Sequence, residues 1–379
     1  MAELLNSVVL KIAERCNLNC SYCYMYNHED QSWRNRPKFM SDKVYTATLH
    51  AIRDYCERRP GHQMYVVFHG GEPMLIGKTR FAAMCRQARE TVGDILSLSM
   101  QTNGWLIDED WARILVEHGV HTDISIDGPA PVHDAARVTH AGKGSHARAV
   151  RGLRLLQEAG MEPAVLCVVD PGADGLAIYR HFREIGVHTM NFLLPDVSHD
   201  NKIRFYGGRG ATPVADYLIP IFDRWFAEDD PDIRIRLFWG LLRMMMGGDG
   251  ETDAFGNPAM HYVVVESDGA IEPLDALKVC EEGLTWTGLN VLHHGLDDLE
   301  CGRPLLHQLV NEGLPLPTKC RDCAEKDVCG GGYYPNRYSR ERGFDNPSVW
   351  CADILKLIAH LRAHVPGGFV EAISGSDLR

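Results

Sequence analysis

Residues 14–26 read "ERCNLNCSYCYMY", which places three cysteines, Cys16, Cys20 and Cys23, within eight residues. The stretch follows the β-rich segment 7–13, "SVVLKIA", so we expect the thiols on the loop after a strand. Thiolates are the usual ligands of iron–sulfur clusters, and a four-iron cluster has four corners to ligate. Three cysteines would therefore leave one iron open to another molecule, and a zinc site is the competing interpretation.

Composition describes an ordinary globular protein. The chain has 379 residues, 45% of them hydrophobic and 24% charged, enough for one large and one smaller domain. A formal net charge of −12 argues against nucleic acid as a partner. Without an apolar run of roughly 20 residues or a signal peptide, we expect no membrane association and a cytoplasmic location. In a reducing compartment, twelve cysteines predict metal ligands rather than disulfides.

Strand-like and helix-like segments alternate over the first 230 residues. The strand-like segments are 7–13, 64–70, 95–104, 121–128, 162–170 and 189–196. Six such units predict a parallel sheet covered by helices, too few for a closed eight-stranded barrel. We therefore predict an α/β fold, with a partial (β/α)6 TIM barrel over residues 1–235 and its chemistry at the carboxyl ends of the strands. Residues 236–379 would form a second domain, with a hairpin over 261–277 that turns at Asp268-Gly269.

Four further motifs follow the successive predicted strands. They are "HGGEP" (69–73), "QTNG" (101–104), "SIDG" (125–128) and "HDAAR" (133–137). Together with the CxxxCxxC spacing of Cys16, Cys20 and Cys23, they resemble the motifs of radical S-adenosylmethionine (SAM) enzymes. The resemblance implies a [4Fe-4S] cluster whose fourth iron is chelated by the amino and carboxylate groups of SAM.

The same resemblance implies which side chains contact the cosubstrate. The backbone of Gly70 and Gly71 and the carboxylate of Glu72 would hold the methionine amino group. Gln101 and Asn103 would lie near the ribose, Ser125 and Arg137 would hold the SAM carboxylate, and Tyr22 would pack beside the adenine. Arg137 suits its role, because a guanidinium group pairs with a carboxylate in bidentate fashion.

A second cysteine group lies near the carboxyl end of the chain. Its members are Cys320, Cys323, Cys329 and Cys351. This spacing resembles the outer cluster set of SPASM domains, the iron–sulfur extensions of radical SAM enzymes that modify peptides and proteins. The resemblance implies one auxiliary [4Fe-4S] cluster, although four cysteines also suit tetrahedral zinc.

The inner cluster set of a SPASM domain is incomplete in this sequence. Where the pattern expects cysteines, the chain has Tyr333 and Leu274. Cys280 and Cys301 stand outside the expected positions, and their participation in a further cluster is left open. We therefore predict one auxiliary cluster rather than two.

Asp275 directly follows Leu274, the position where the SPASM pattern expects a cysteine. In anaerobic sulfatase-maturating enzymes, which the chain resembles in "QTNG", "SIDGP" and "GKGS", an aspartate at this hairpin position accepts a proton from the substrate. The resemblance implies the same catalytic role for Asp275, and the alternative is an ordinary aspartate in a surface turn.

Three stretches, 24–41, 265–278 and 343–356, resemble a narrower group, the SPASM peptide maturases that form three-residue cyclophanes, including those acting on Fxs-type peptides. This implies an oxidoreductase that removes a β-hydrogen from a ribosomally made (RiPP) precursor peptide and joins the carbon to an aromatic ring. Its partners would be that peptide and a low-potential electron donor of the flavodoxin or ferredoxin type. With fifteen residues before Cys16, we expect the leader peptide to dock elsewhere on the chain or through a partner.

Several alternatives stay open at the level of sequence. Formylglycine formation on a sulfatase is the first, and it would expect both auxiliary clusters. Thioether formation and epimerisation are further radical SAM reactions on peptides. A zinc-bound peptide-binding module without enzymatic activity is the alternative from another functional class.

Overall fold

The structure is a computed structural model that describes residues 5–207, 210–250 and 252–364. The chain forms two compact units, each built from several segments. The first comprises residues 1–167, 181–189 and 259–314, and the second comprises residues 168–180, 190–258 and 315–379. The predicted boundary at residue 235 divides the sequence differently from these units, and it stays a prediction about domains.

All six predicted strands are present, and three shorter strands follow them. The strands are β1 (Ser7–Ala13), β2 (Met64–Gly70), β3 (Leu96–Thr102), β4 (Val120–Ser125), β5 (Val165–Val168), β6 (Thr189–Leu193), β7 (Arg234–Ile235), β8 (Tyr262–Val265) and β9 (Ile271–Glu272). The strands of the first unit pair in the order β5-β4-β3-β2-β1-β8-β9. The pairs from β1 to β5 are all parallel.

Helices separate the strands as the periodicity predicts. They are α1 (Asp42–Glu57), α2 (Lys78–Val92), α3 (Glu109–Glu117), α4 (Ala130–Ala136), α5 (His146–Glu158), α6 (Gly175–Glu184), α7 (Lys202–Tyr206), α8 (Pro213–Glu228), α9 (Arg236–Met245), α10 (Pro304–Asn311), α11 (Lys326–Cys329), α12 (Tyr334–Arg337) and α13 (Cys351–His364). Ser41 caps the amino end of α1, because its side chain accepts a hydrogen bond from the Val44 amide. Short 3-10 helices include Pro73–Ile76 and Asp275–Val279.

The core of the first unit lies mainly on one face of its parallel sheet. Val8, Val66 and Ile124, on three different strands, share that face and are completely buried. The residues between the buried ones on β2, β3 and β4 are partly or fully exposed, so burial alternates along these strands. The parallel arrangement also brings the carboxyl ends of β1 to β4, with their motif loops, to one edge of the sheet.

The predicted hairpin is confirmed as β8 and β9, which pair antiparallel around the Asp268-Gly269 turn. Gly269 has φ of +89°, a conformation that a side chain disfavours. β8 also pairs in parallel with β1, a contact that the sequence pattern does not indicate. The hairpin therefore places Asp275, just after β9, in the same compact unit as the first cysteine loop.

The second unit contains β6 and its neighbour β7, together with the second cysteine group. The Asn336 side-chain amide, fully buried, donates to the backbone oxygens of Pro195 and Val197, and so ties the loop after β6 to the cysteine-rich segment. Across the described residues, no helix combines the length and the apolar character needed to cross a membrane.

Candidate functional site

The first cysteine group lies where β1 ends, on a loop held by its own backbone. The Cys23 amide donates to the Cys20 carbonyl at 3.0 Å, and the Leu18 amide donates to the Cys16 sulfur at 3.3 Å. The backbone amides of Met25 and Tyr26 lower the pKa of Cys23 and so oppose the effect of burial. Amide-to-sulfur bonds of this kind stabilise thiolates and tune iron–sulfur clusters.

Burial governs the protonation of these three thiols. It raises the pKa of Cys20 to about 12 and raises the pKa values of Cys16 and Cys23 as well. Each of Cys20 and Cys23 also raises the pKa of Cys16, as does Glu72, so the three sulfurs share one electrostatic environment. A buried trio of this kind forms thiolates when a metal centre compensates their charge, which fits the predicted cluster.

Glu72 joins the ends of β2 and β3. Its buried carboxylate accepts hydrogen bonds from the Thr102 hydroxyl at 2.7 Å, the Met74 amide at 3.1 Å and the Asn103 amide at 2.9 Å. Burial raises the pKa of Glu72 to about 7 although these donors act in the opposite direction. The structure therefore shows Glu72 as a connector of the motif loops, and its predicted contact with SAM stays a prediction.

The two glycines before Glu72 are required by the loop after β1. A Cβ on Gly70, which has φ of +133°, would lie 2.1 Å from the Ala13 carbonyl oxygen. A Cβ on Gly71 would lie 1.9 Å from the Tyr26 hydroxyl oxygen. The Gly71 amide donates to the Ala13 carbonyl at 2.8 Å. These glycines thus allow the two motif loops to approach each other, a reason that the sequence alone does not give.

Arg137 forms a buried, bidentate ion pair with Asp127. Its Nε and Nη2 atoms lie 2.8 Å and 3.1 Å from the two carboxylate oxygens of Asp127. The hydroxyl of Tyr22 also donates to Asp127, and the Arg137 guanidinium lies 5.4 Å from the Tyr22 ring centroid. The predicted carboxylate partner of Arg137 is the one on SAM, whereas here the protein supplies a carboxylate itself. The predicted roles of Tyr22 and Arg137 toward SAM stay predictions.

The "HDAAR" segment holds Arg137 in place through His133. The His133 Nδ1 atom accepts a hydrogen bond from the Asp127 amide at 3.2 Å, and its Nε2 atom lies 2.8 Å from the Ser145 hydroxyl. Ser145 donates in turn to the Arg137 carbonyl at 2.7 Å. Burial lowers the pKa of His133 to about 4, so the imidazole is neutral near pH 7 and can accept at Nδ1.

Three other predicted cofactor residues form two contacts on the same sheet edge. Gln101 Nε2 donates to the Ser125 hydroxyl at 2.9 Å, joining the ends of β3 and β4. Asn103 Nδ2 donates to the Asn17 side-chain oxygen at 2.9 Å and lies 3.7 Å from the Cys16 sulfur. The structure therefore brings one predicted ribose contact, Asn103, to the cysteine loop, and it joins the other, Gln101, to Ser125.

Asp275 is a largely buried carboxylate whose side chain is 15% exposed, and its environment argues against the surface-turn alternative. It forms an ion pair with Lys11, and the Tyr24 hydroxyl donates to it at 2.5 Å. Lys11 is fully buried, and its amino group also lies 2.8 Å from the Tyr24 hydroxyl oxygen. Burial alone would raise the pKa of Asp275, but Lys11, then His69, and the hydrogen bonds lower it to about 2.

The second cysteine group lines one cavity in the second unit. All four cysteines line a small cavity of about 20 Å³, which Lys326 and Leu355 also line. Burial raises the pKa values of Cys320 and Cys351, and it raises the pKa of Cys329 to about 12. The four predicted ligands are therefore brought together.

Zinc is the competing occupant of both cysteine groups. Zinc–sulfur bonds of about 2.3 Å in a tetrahedron place neighbouring sulfurs about 4 Å apart. In the described part of the chain, one group of three metal-binding atoms lies within 4.8 Å of one another, and it consists of side chains other than cysteine. The preference for iron–sulfur clusters over zinc at the two cysteine groups rests on the sequence resemblance and stays a prediction.

Side chains other than cysteine fill the predicted inner-cluster positions. Leu274 is 2% exposed and packs in the first unit, while Tyr333 lies in the second. Cys280 is fully buried, and Cys301 is exposed. Neither observation supplies the missing ligands, so the prediction of one auxiliary cluster stands as a prediction.

Sequence reasoning missed four residues that the structure places in these networks. They are Lys11, Tyr24, His69 and Asp127. Lys11 offered a signal, because a lysine in the apolar strand β1 requires a buried partner. Asp127 stands inside the quoted "SIDG" motif, but nothing in the sequence pairs it with Arg137.

Comparison with known proteins agrees with this site. Residues 10–185 match the model of the Radical SAM superfamily. A cysteine-type anaerobic sulfatase-maturating enzyme of Clostridium perfringens (strain 13 / Type A) is 27% identical over 344 residues, covering 88% of this chain and 90% of that protein. A serine-type anaerobic sulfatase-maturating enzyme of Bacteroides thetaiotaomicron is 28% identical over 360 residues, covering 89% and 84%.

Solved structures confirm the predicted fold. The structure of native anSMEcpe with bound AdoMet and the Kp18Cys peptide has a TM-score of 0.82 at 23% identity, covering 94% of this chain and 97% of that one. Streptococcus suis SuiB has a TM-score of 0.63 at 15% identity, covering 92% and 77%. The named relatives are sulfatase-maturating enzymes, so they do not support the narrower cyclophane-forming assignment.

Proposed function

We infer that this chain, a member of the radical SAM superfamily through residues 10–185, oxidises a side chain of a peptide or protein. The observation that carries this proposal is the ionised Asp275 carboxylate, buried beside Lys11 and Tyr24 in the unit that holds the first cysteine group. A radical SAM oxidation needs a group that accepts a proton from the substrate, and Asp275 offers one.

The residues described above would hold the cofactors. Cys16, Cys20 and Cys23 would bind the radical SAM cluster, and the second cysteine group would bind the auxiliary one. When bound, S-adenosylmethionine and the [4Fe-4S] clusters supply hydrogen-atom abstraction and electron transfer. A low-potential donor of the flavodoxin or ferredoxin type would provide electrons.

The chain's own contribution is proton transfer and positioning. With a pKa of about 2, Asp275 is ionised throughout the neutral range and can accept a proton within hydrogen-bond reach. Lys11 and the Tyr24 hydroxyl hold the carboxylate in one orientation, which reduces the reorganisation needed at the moment of transfer. A carboxylate of this low basicity suits a substrate whose hydroxyl, thiol or ring C–H group has become strongly acidic after radical formation.

The named relatives favour formylglycine formation as the reaction. Both are sulfatase-maturating enzymes, one of the cysteine type and one of the serine type. In such an oxidation the β-carbon of the target loses a hydrogen atom, its hydroxyl or thiol group loses a proton, and one electron leaves, for which the auxiliary cluster would be the acceptor. A serine would then give the aldehyde directly, whereas a cysteine would give a thioaldehyde that water hydrolyses with release of hydrogen sulfide. Asp275 is the proposed proton acceptor.

Carbon–carbon crosslinking of a precursor peptide is a second candidate, because the chain lacks cysteines at two positions that an inner auxiliary cluster would need. A buried leucine at 274 and a tyrosine at 333 replace two expected cluster ligands. This favours a maturase with one auxiliary cluster over one with two. The crosslink removes the same number of hydrogens from the peptide but leaves no aldehyde.

The test uses anaerobically reconstituted full-length protein with SAM, dithionite and three synthetic peptides. Two have a central cysteine or serine, and the third has an aromatic residue two positions from an aliphatic one. We expect peptide-dependent 5′-deoxyadenosine and a peptide that has lost hydrogen. A hydrazide-reactive aldehyde supports formylglycine formation, and an unreactive product supports crosslinking. Sulfatase and precursor-protein substrates from cell extracts are tested in the same way. If 5′-deoxyadenosine forms but every peptide and every protein substrate is recovered unchanged, the proposal is wrong.

Asp275→Asn tests the proposed base. We expect product formation to fall by about 10²- to 10⁴-fold, the usual contribution of a positioned base, while SAM cleavage continues. Asp268→Asn is a matched control in the same hairpin, because Asp268 is partly exposed and its Oδ1 accepts from the Ala270 amide. Equal activity of the two variants would remove Asp275 from the mechanism.

A further inference from the structure

The carboxyl end of α13 carries a cluster of metal-binding side chains that neither cysteine group uses. His360 and His364 occupy consecutive turns of this helix, and Asp223 lies on α8 in the same unit. One ligand atom from each of the three lies within 4.8 Å of the other two. This is the grouping mentioned above, and within the described residues it alone is compact enough for a single ion.

The distances place a carboxylate oxygen between two imidazole nitrogens. Asp223 Oδ1 lies 2.5 Å from His360 Nε2 and 3.8 Å from His364 Nε2. The two imidazole centroids are 4.5 Å apart. The three ligand atoms therefore already converge, and small side-chain rotations would bring them to one ion.

A hydrogen bond on the outer side of His364 fixes its orientation. Its Nδ1 atom lies 2.9 Å from the His360 carbonyl oxygen. Since a carbonyl can only accept, Nδ1 carries the proton and Nε2 keeps a lone pair directed toward Asp223. Metal-bound histidines commonly donate their second nitrogen to a backbone carbonyl in this way.

The surroundings hold the cluster in position without competing for it. Phe222 packs edge-on against both imidazoles, with centroid distances of 6.0 Å and 5.6 Å. Cationic neighbours on the same helix pair with other carboxylates, Lys356 with Asp216 and Arg362 with Glu325. In the described part of the chain, the ion pairs of Asp223 are to these two histidines.

We propose that Asp223, His360 and His364 form a binding site for a divalent transition-metal ion, with Zn²⁺ as the ion that the site takes. Two imidazoles and one carboxylate suit zinc, and water would complete its coordination. The bound ion would join the carboxyl end of α13 to α8. Cys351 begins α13 nine residues before His360, about 13 Å along the helix, so the ion is separate from the auxiliary cluster.

The experiment uses tag-free, full-length protein with its iron–sulfur clusters reconstituted. Equilibrium dialysis against Zn²⁺ with a competing chelator gives the affinity, and zinc-edge X-ray absorption gives the ligand atoms. We expect one zinc per chain with nitrogen and oxygen ligands. His364→Gln and Asp223→Asn should each weaken zinc binding by at least about 10-fold.

The control is His50→Gln, an exposed histidine on α1, which should bind zinc like the unchanged protein. Iron content and circular dichroism of each variant report whether it has folded. Two results would overturn the proposal. One is sulfur-only coordination of the bound zinc. The other is an unchanged protein that binds no zinc, or folded His364→Gln and Asp223→Asn variants that bind zinc as tightly as the His50→Gln control.

Discussion

The two cysteine groups differ in the chemistry of their surroundings. Around Cys16, Cys20 and Cys23 lie charged and hydrogen-bonded side chains, with the Arg137–Asp127 pair and the buried Glu72 foremost. The second group lines a cavity shared with Leu355, Pro347 and Gly331, into which Lys326 also reaches. Burial raises thiol pKa values in both groups.

This difference indicates a division of labour. A three-thiol group leaves a coordination position for another molecule, and the polar groups around it can orient that molecule. A four-thiol group has no such vacancy, so we expect it to serve electron transfer or structure. The comparison predicts that polar substitutions matter greatly near the first group and little near the second.

The largest loss of stability is expected when the buried ion pair near the first group is disrupted. Asp127→Asn removes the charge that pairs with the buried Arg137 guanidinium, and it replaces one of the two oxygens that accept from Arg137 and Tyr22 with a donor. We expect a loss of about 3–5 kcal/mol in the free energy of unfolding. Anaerobic denaturant titration of the reconstituted protein measures it.

Lys326→Met is the matched change near the second group. Lys326 lines that cavity, and we expect its replacement to change the free energy of unfolding by less than about 0.5 kcal/mol. Comparable losses in the two variants would contradict the proposed difference between the groups.

A smaller effect is expected at Glu72. In Glu72→Gln the side chain keeps its size, but an NH2 group replaces one carboxylate oxygen. This NH2 group then faces at least one of the three hydrogen-bond donors, from Thr102, Met74 and Asn103, and leaves that donor without an acceptor. An unmatched buried donor costs about 1–3 kcal/mol, and we expect a loss of that order. Unchanged stability in the same titration would show that the carboxylate does not hold the motif loops together.

A further prediction concerns pH and tests the account of His133. Its pKa of about 4 lies below the ordinary value of 6.5, so the unfolded chain takes up a proton in this window while the folded chain does not. Stability should therefore fall as the pH is lowered from about 6.5 toward 4, by up to about 1.4 kcal/mol per pH unit.

His133→Gln should reduce that slope, whereas His50→Gln on the exposed face of α1 should retain it. The free energy of unfolding at a series of pH values for the three proteins gives the slopes. Identical slopes in all three would show that His133 titrates alike in the folded and unfolded chain.

Sequence patterns were sufficient for the strand order along the chain and for the positions of the motif loops. Apolar runs and the repeated βα alternation are local signals, and they predict the parallel sheet. The pairing of β8 with β1 is a contact between distant segments, and periodicity carries no information about it. The roles of Gly70 and Gly71 against the β1 loop escaped prediction for the same reason.

Buried charges were the least predictable part of the candidate site. Asp275 could be suspected from its place in the hairpin, but its ion pair with Lys11 depends on how two strands meet in space. The Arg137–Asp127 pair likewise joins two motifs whose separate roles were read from resemblance. Such pairs follow from three-dimensional packing, because each charge must find a partner when it is buried.

The most direct measurement is the content of iron, sulfide and zinc per chain after anaerobic reconstitution, in the His364→Gln background so that the α13 site contributes little zinc. The account predicts about 8 irons and no stoichiometric zinc, and about 4 irons when Cys16, Cys20 and Cys23 are all replaced by alanine. About 12 irons would contradict the single auxiliary cluster. About 4 irons with one zinc would show that the second cysteine group holds zinc, and would contradict its proposed part in electron transfer.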